Sequence, residues 1–187
     1  MSKILTKNLI EIIIDRKNQE LEDFQKLRFP QIESIKKMVY DLNHYENIDD
    51  DALISLTTKT KKFTSITKTY DKDKGCDAET RIIYQPAISL KGIKIISDAQ
   101  ADLLRNYAGT LILGLTELSE LAAKSLAEYE GKFLNLTNLE ELNETIANNL
   151  SKCQCKHLTI ATRELTNESA EALSNYQGHL HLMNLKN

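Results

Sequence analysis

The side chains best suited to binding or catalysis lie in two short runs, Cys153-x-Cys155-x-His157 and His179-x-His181. Two thiols and three imidazoles make a donor set for zinc, which takes Cys and His ligands in a tetrahedron. Such a site requires His157 beside His179, with His181 two residues along, so the chain between them must fold the two runs together. Other chemistry is sparse. There is no Gly-x-Gly-x-x-Gly, Gly-x-Ser-x-Gly, His-Glu-x-x-His or phosphate loop, the patterns that would announce a dinucleotide, an activated serine, a catalytic zinc or a nucleotide. Glu117, Glu120, Glu140 and Glu141 cluster after apolar runs, where solvation and helix N-terminal charge explain them. With no catalytic pair to build on, the expectation is a protein that is not an enzyme.

Bulk properties narrow the partners. The 187 residues hold 24 basic and 27 acidic side chains, a net charge of −3. The balance is also local: residues 1–75 carry 14 Lys/Arg and 13 Asp/Glu, and residues 76–187 carry 10 and 14. No broad basic face is implied, which argues against nucleic acid as a partner. Lys7, Glu11 and Asp15 interrupt the first apolar stretch, so no signal-peptide or membrane-span length is reached, and a cytoplasmic protein with no membrane partner is expected. Cys76, Cys153 and Cys155 would then be reduced thiols. The Lys/Thr-rich stretch 57–77 includes Asp71, Asp73 and Asp77 and reads as a solvated loop or weak edge strand rather than a phosphate patch.

The elements that must position the Cys and His residues come from a periodic pattern. Only 7 of 27 leucines lie in residues 1–89, and 20 lie in residues 90–187. There the apolar sets Ile88-Leu90-Ile93-Ile96, Leu111-Leu113-Leu115-Leu118, Leu134-Leu136-Leu139-Leu142, Leu158-Ile160-Leu165 and Leu180-Leu182-Leu185 succeed one another. The first four are each followed by a small residue and a leucine, Ala101/Leu104, Ala123/Leu126, Ala147/Leu150 and Ala170/Leu173, at alanine steps of 22, 24 and 23 residues. Tyr107, Tyr129, Cys153 and Tyr176 form a further column, with Gly109, Gly131, Cys155 and Gly178 two residues on. Each unit begins with the alternation of a short strand and continues with helical spacing. Ser97, Ser119, Asn143 and Thr166 are helix N-caps, and Ser97 with Gln100 is a capping box. A strand, a helix and a return in so few residues can close only by stacking on its neighbour.

These units resemble bacterial leucine-rich repeats, which read Gly-x-Leu-x-Leu-x-x-Leu-x-x-Leu-Ser and then Ala-x-x-Leu. Residues 109–126 match apart from one residue missing before Leu115, and the likeness covers about residues 84–187. The resemblance implies an α/β repeat solenoid, a short parallel strand/helix stack. The asparagine column of such repeats is only partly kept, with Gly92, Gly114, Asn138 and Asn184 before the third anchor and Thr162 in between. An eroded earlier unit is expected before residue 84, reaching back to Leu53, Leu56 and Phe63.

Ahead of the stack, Leu5, Leu9, Ile12, Ile13, Leu21, Phe24 and Leu27 argue one amphipathic helix, ended by Pro30. Ile32, Ile35, Met38/Val39, Leu42 and Tyr45 argue a second. The expected organisation is a helical hairpin or N-terminal cap over 1–47, a linker over 48–83 and the stack over 84–187. Aligning the strands puts Ala87, Thr110, Phe133, His157 and His179 in one exposed column and Ser89, Ile112, Asn135, Thr159 and His181 in a second. That mixture suits a protein- or peptide-binding scaffold, with Thr110, Ile112, Phe133, Asn135, His157, Thr159, His179 and His181 as the partner-binding face. The alternatives are an oligomerising module working through the hairpin stripe, and zinc held by Cys153, Cys155, His157, His179 and His181. Against zinc, both cysteines substitute for Tyr and Gly columns and are explained by the periodic pattern itself, so no cofactor is the simpler expectation. The strand at 180–185 lacks a following helix, which suggests self-association or continuation of the chain at an uncapped end.

Overall fold

The computed structural model describes residues 3–25, 39–60, 63–71 and 76–185. In chain order the elements are β1 (Ile4–Leu5), α1 (Lys7–Gln25), β2 (Val39–Asp41), β3 (Asn47–Ile48), α2 (Asp50–Lys59), β4 (Phe63–Asp71), β5 (Cys76–Tyr84), β6 (Ala87–Leu90), α3 (Asp98–Arg105), β7 (Thr110–Leu113), α4 (Glu120–Ala127), β8 (Phe133–Leu139), α5 (Glu144–Leu150), β9 (His157–Thr162), α6 (Asn167–Ser174) and β10 (His179–Met183). Six strands make one parallel sheet in the order β10-β9-β8-β7-β6-β2. From β6 onward a helix carries the chain from each strand to the next, and α1 to α6 pack on one another in chain order. The fold is therefore α/β with a helix layer on one face of the sheet. Among the described residues, no helix is long and apolar enough to cross a membrane.

Alternation within the strands decides which face is core. Ile88, Leu90, Leu111, Leu113, Leu134, Leu136, Leu158 and Ile160 point toward the helices and are buried, and Leu104, Leu126, Leu150 and Leu173 meet them from the helix side. Each such leucine contributes on the order of 2 kcal/mol. The helices start where their caps dictate: Ser97, Ser119, Asn143 and Thr166 accept from the backbone N–H of Gln100, Ala122, Ile146 and Ser169. Ala170 departs from its column. It is exposed, and Ser169 is buried instead, donating to the Leu142 carbonyl at 2.6 Å. Among the described residues α6 packs on α5, and no further helix follows it in the row.

The tyrosine column ties successive strands together at their entry end. Tyr107, Tyr129 and Tyr176 donate their hydroxyls to the carbonyls of Pro86, Gly109 and Cys155, the last at 2.6 Å. Each phenol is buried and satisfied by the chain just before a neighbouring strand. The glycine two residues after a tyrosine lies on its ring: a Cβ added to Gly178 would fall 2.5 Å from Tyr176 Oη and 2.7 Å from Cζ. Cys153 and Cys155 replace such a Tyr-x-Gly pair together. With the ring gone, the residue two further on is free to carry a side chain.

The N-terminal part differs from its expected form. The apolar stripe of α1 is Ile10, Ile13 and Ile14, whereas Leu9 and Ile12 face solvent and Leu5 belongs to β1. The run Leu9-Ile10 and Ile12-Ile13-Ile14 is apolar on all sides, so spacing alone does not fix its phase. The end of the expected second arm is not helical: Val39, Tyr40 and Asp41 pair in parallel with Ala87, Ile88 and Ser89. Residues 26–38, which hold the rest of that arm, lie outside the described residues. The expected linker contains α2 and the β4–β5 antiparallel hairpin.

Tyr40, Leu42, Tyr45, Ile48, the N-cap Asp49, Leu53 and Leu56 occupy the places that Ile88, Leu90, Ile93, Ile96, Ser97, Ala101 and Leu104 occupy in the next unit. Where an eroded unit was expected, β2 joins the parallel sheet beside β6 and Leu53 and Leu56 are buried on α2. Phe63 lies instead in the hairpin that follows.

Candidate functional site

The outward face of the sheet is built by strand register alone. Ala87, Thr110, Phe133, His157 and His179 are direct neighbours on β6 to β10, as are Ser89, Ile112, Asn135, Thr159 and His181. The parallel strands set these side chains about 4.8 Å apart. Phe133, His179 and His181 are exposed, and the other members from β7 onward are partly buried.

The two ends of this face are chemically different. At the β2–β6 end it is internally satisfied: Asn43 Oδ1 accepts from Ser89 Oγ at 2.8 Å and from the Lys91 N–H at 2.9 Å, and Ser89 is buried. At the β8–β10 end the side chains form a ladder of rings. His157 stacks between Phe133, with centroids 4.5 Å apart and planes 5° apart, and His179, at 4.8 Å and 17°. His181 lies 6.3 Å from His157. Loss of hydration, followed by the charges of His179, Lys156 and His181, holds the His157 pKa below the ordinary imidazole value. Beside the ladder, Asn135 Oδ1 is buried and has no hydrogen-bond partner among the described residues.

The five residues considered for zinc are not brought together. Among the described residues, no group of three or more His, Cys, Asp or Glu is placed to hold a metal ion. The three histidines are on the outward face, whereas Cys153 and Cys155 are buried in the core. Cys153 Sγ donates to Cys155 Sγ at 2.7 Å, and Cys155 Sγ lies 3.4 Å from Tyr176 Oη. That shared proton raises the Cys153 pKa and lowers that of Cys155. The strand boundary explains the separation: β9 begins only at His157, and the two cysteines before it occupy buried positions.

One feature is not visible in the strand columns. A cleft of about 490 Å³ opens beyond the carboxyl ends of the strands, lined by Lys94, Thr116, Thr137, Asn138, Arg163 and Asn184 among others. Lys94, Thr116, Arg163 and Asn184 come from the segments that follow strands, and Thr137 and Asn138 from the last residues of β8. Asn184 has a positive φ of 63°, a left-handed conformation that asparagine tolerates better than most residues. A non-glycine residue of that type just after the last strand of a sheet was the available sequence signal.

No protein-family model, no curated protein and no solved structure matches the chain.

Proposed function

We propose that the protein is a non-enzymatic binding module: a short leucine-rich-repeat-like solenoid that recognises a protein or peptide on the outward face of its parallel sheet, in the cytosol. The observation that supports this most is the β8–β10 end of the face, where exposed Phe133 and the stacked imidazoles stand outward on adjacent strands. An aromatic ring beside polar imidazoles matches the composition of a recognition patch. The helix layer supplies rigidity, and the strands hold the contact residues at fixed spacing.

The test is selection from a displayed peptide library against the purified protein. Selected peptides should lose binding to the Phe133→Asp and Ile112→Asp variants and keep it with Leu121→Asp, which changes an exposed leucine on the helix side. Binding that is indifferent to both face substitutions would overturn the reading. A second reading, self-association, draws on β10 as the edge strand of the sheet among the described residues, with exposed Met183 at its end and exposed Leu185 after it. Light scattering that shows a monomer at every concentration removes it.

A further inference from the structure

We propose that the β8–β10 end of this face is a docking site for an acidic peptide, with His157, His179 and His181 as its charge contacts, so that binding tightens as pH falls below neutrality. The inference rests on the binding-face reading and supplies the chemistry of the partner.

The charged groups at the entry end of the ring-bearing strands are two lysines and one acid, exposed Glu130, which lies two residues before Lys132. β9 is preceded by Lys156 and β8 by Lys132, both exposed. β8 itself presents Phe133, Asn135 and Thr137, β7 presents Thr110 and Ile112, and β10 adds Met183 to its two histidines. Beyond the strand exits, Arg163 and Lys94 stand with Glu140 around the cleft, exposed Glu164 follows Arg163, and Glu117 and Glu141 line the adjoining cleft, so the exits carry both signs. On the two outward columns and their continuation on β2, the acid is Asp41, four strands from β9. On β8 to β10 the two columns thus present three imidazoles and no carboxylate, with Lys132 and Lys156 at the strand entries, and once the rings are protonated a partner of opposite sign would match them.

The spacing fits an extended peptide. Side chains two residues apart on one lie about 6.6 Å from each other, close to the 6.3 Å between the His157 and His181 rings. Without a partner, the crowding of His157 by its neighbours favours the neutral ring. Carboxylates placed against the ladder favour the charged rings instead, so binding takes up protons and, by linkage, strengthens as protons become available.

The probe is fluorescein-labelled hexa-aspartate, ionised at both pH values used. Its anisotropy is read at about pH 5.5 and about pH 7.5 at one ionic strength with EDTA present. Affinity should be roughly tenfold higher at the lower pH, the scale expected of two or three exposed charge pairs. That ratio should fall to about one in the His157→Gln/His179→Gln/His181→Gln variant, whose circular dichroism should be unchanged because these rings face outward, and hexa-lysine should not bind. Binding that is independent of pH, that survives the triple substitution, that requires a metal and fails in EDTA, or that does not occur at either pH overturns the proposal. If library-selected peptides still need Phe133 while hexa-aspartate fails, only the acidic-partner inference falls. If no binding depends on Phe133 or Ile112, the binding-face reading falls with it.

Discussion

If the tyrosine ring is what forbids a side chain two residues later, then the penalty for adding one must shrink when the ring is removed. Gly178 and Tyr176 give the cleanest pair. A Cβ at 178 meets Tyr176 Oη at 2.5 Å, Cζ at 2.7 Å and the Lys156 carbonyl oxygen at 2.8 Å, where ordinary carbon contacts begin near 3.5 Å. Relieving that overlap requires a shift of up to about 1 Å, so Gly178→Ala should cost about 1–3 kcal/mol. Tyr176→Ala removes a buried aromatic ring and leaves the Cys155 carbonyl without its phenol donor, for about 3–5 kcal/mol. Simple addition predicts a loss of about 4–8 kcal/mol in the double variant. With the ring gone, two of the three overlaps vanish, so the measured loss should fall short of the sum by about 1–2 kcal/mol. Urea unfolding followed by circular dichroism gives each value from the midpoint at an unchanged slope. Additivity to within about 0.5 kcal/mol would refute the argument, and with it the account of why Cys153 and Cys155 replace a Tyr-x-Gly pair together.

Other expectations follow from the same geometry. Tyr129→Phe should cost about 1–3 kcal/mol by thermal or urea unfolding, because the Gly109 carbonyl loses a buried donor. Burial pushes the Tyr40 hydroxyl up to about 12 and those of Tyr107 and Tyr129 higher still. Their contribution is therefore complete below pH 10 and is lost as pH rises above it, at up to about 1.4 kcal/mol per pH unit for each tyrosine, and Tyr107→Phe should flatten the alkaline limb of a stability curve. Asn143→Ala removes the cap of α5 and should cost about 1 kcal/mol, whereas Asn143→Ser should be nearly neutral. In a proton NMR titration, His157 should show a midpoint below that of an ordinary imidazole, and His179→Gln should raise it by removing one of the charges beside it.

The alternation of parallel strands and helices from β6 onward was readable in the sequence because each of its signals is local and each recurs. Alternation in Leu111-x-Leu113 fixes an inward face, Ser119 or Asn143 fixes a helix start, and the spacing between them fixes register. Register in turn places His157 beside His179 without any knowledge of side-chain contacts. The first unit was misread for an equally physical reason. Its anchors include Tyr40 and Tyr45, and Val39, Leu42 and Tyr45 are spaced by three, which satisfies a helix as well as a strand and turn. The β4–β5 hairpin then separates α2 from β6 and breaks the period. The phase of α1 was hidden by an isoleucine run that no single face could absorb.

The cysteines show where column reasoning stops. In the sequence, Cys153-x-Cys155-x-His157 reads as one cluster of metal ligands, because the three residues alternate as they would on one face of a strand. β9 begins only at His157, however, and the two cysteines precede it as occupants of the buried Tyr and Gly places. The same boundary separates buried thiols from outward imidazoles. What the core requires is met by Cys153 and Cys155, and what it leaves free begins at His157. From β8 to β10, Phe133, His157, His179 and His181 are large outward side chains that the inward packing does not need, whereas at the β6 end Ala87 is small and Ser89 is already bound to Asn43. A partner that uses the face must therefore engage the β8–β10 end, and substitutions at Ala87 or Ser89 should leave its binding unchanged.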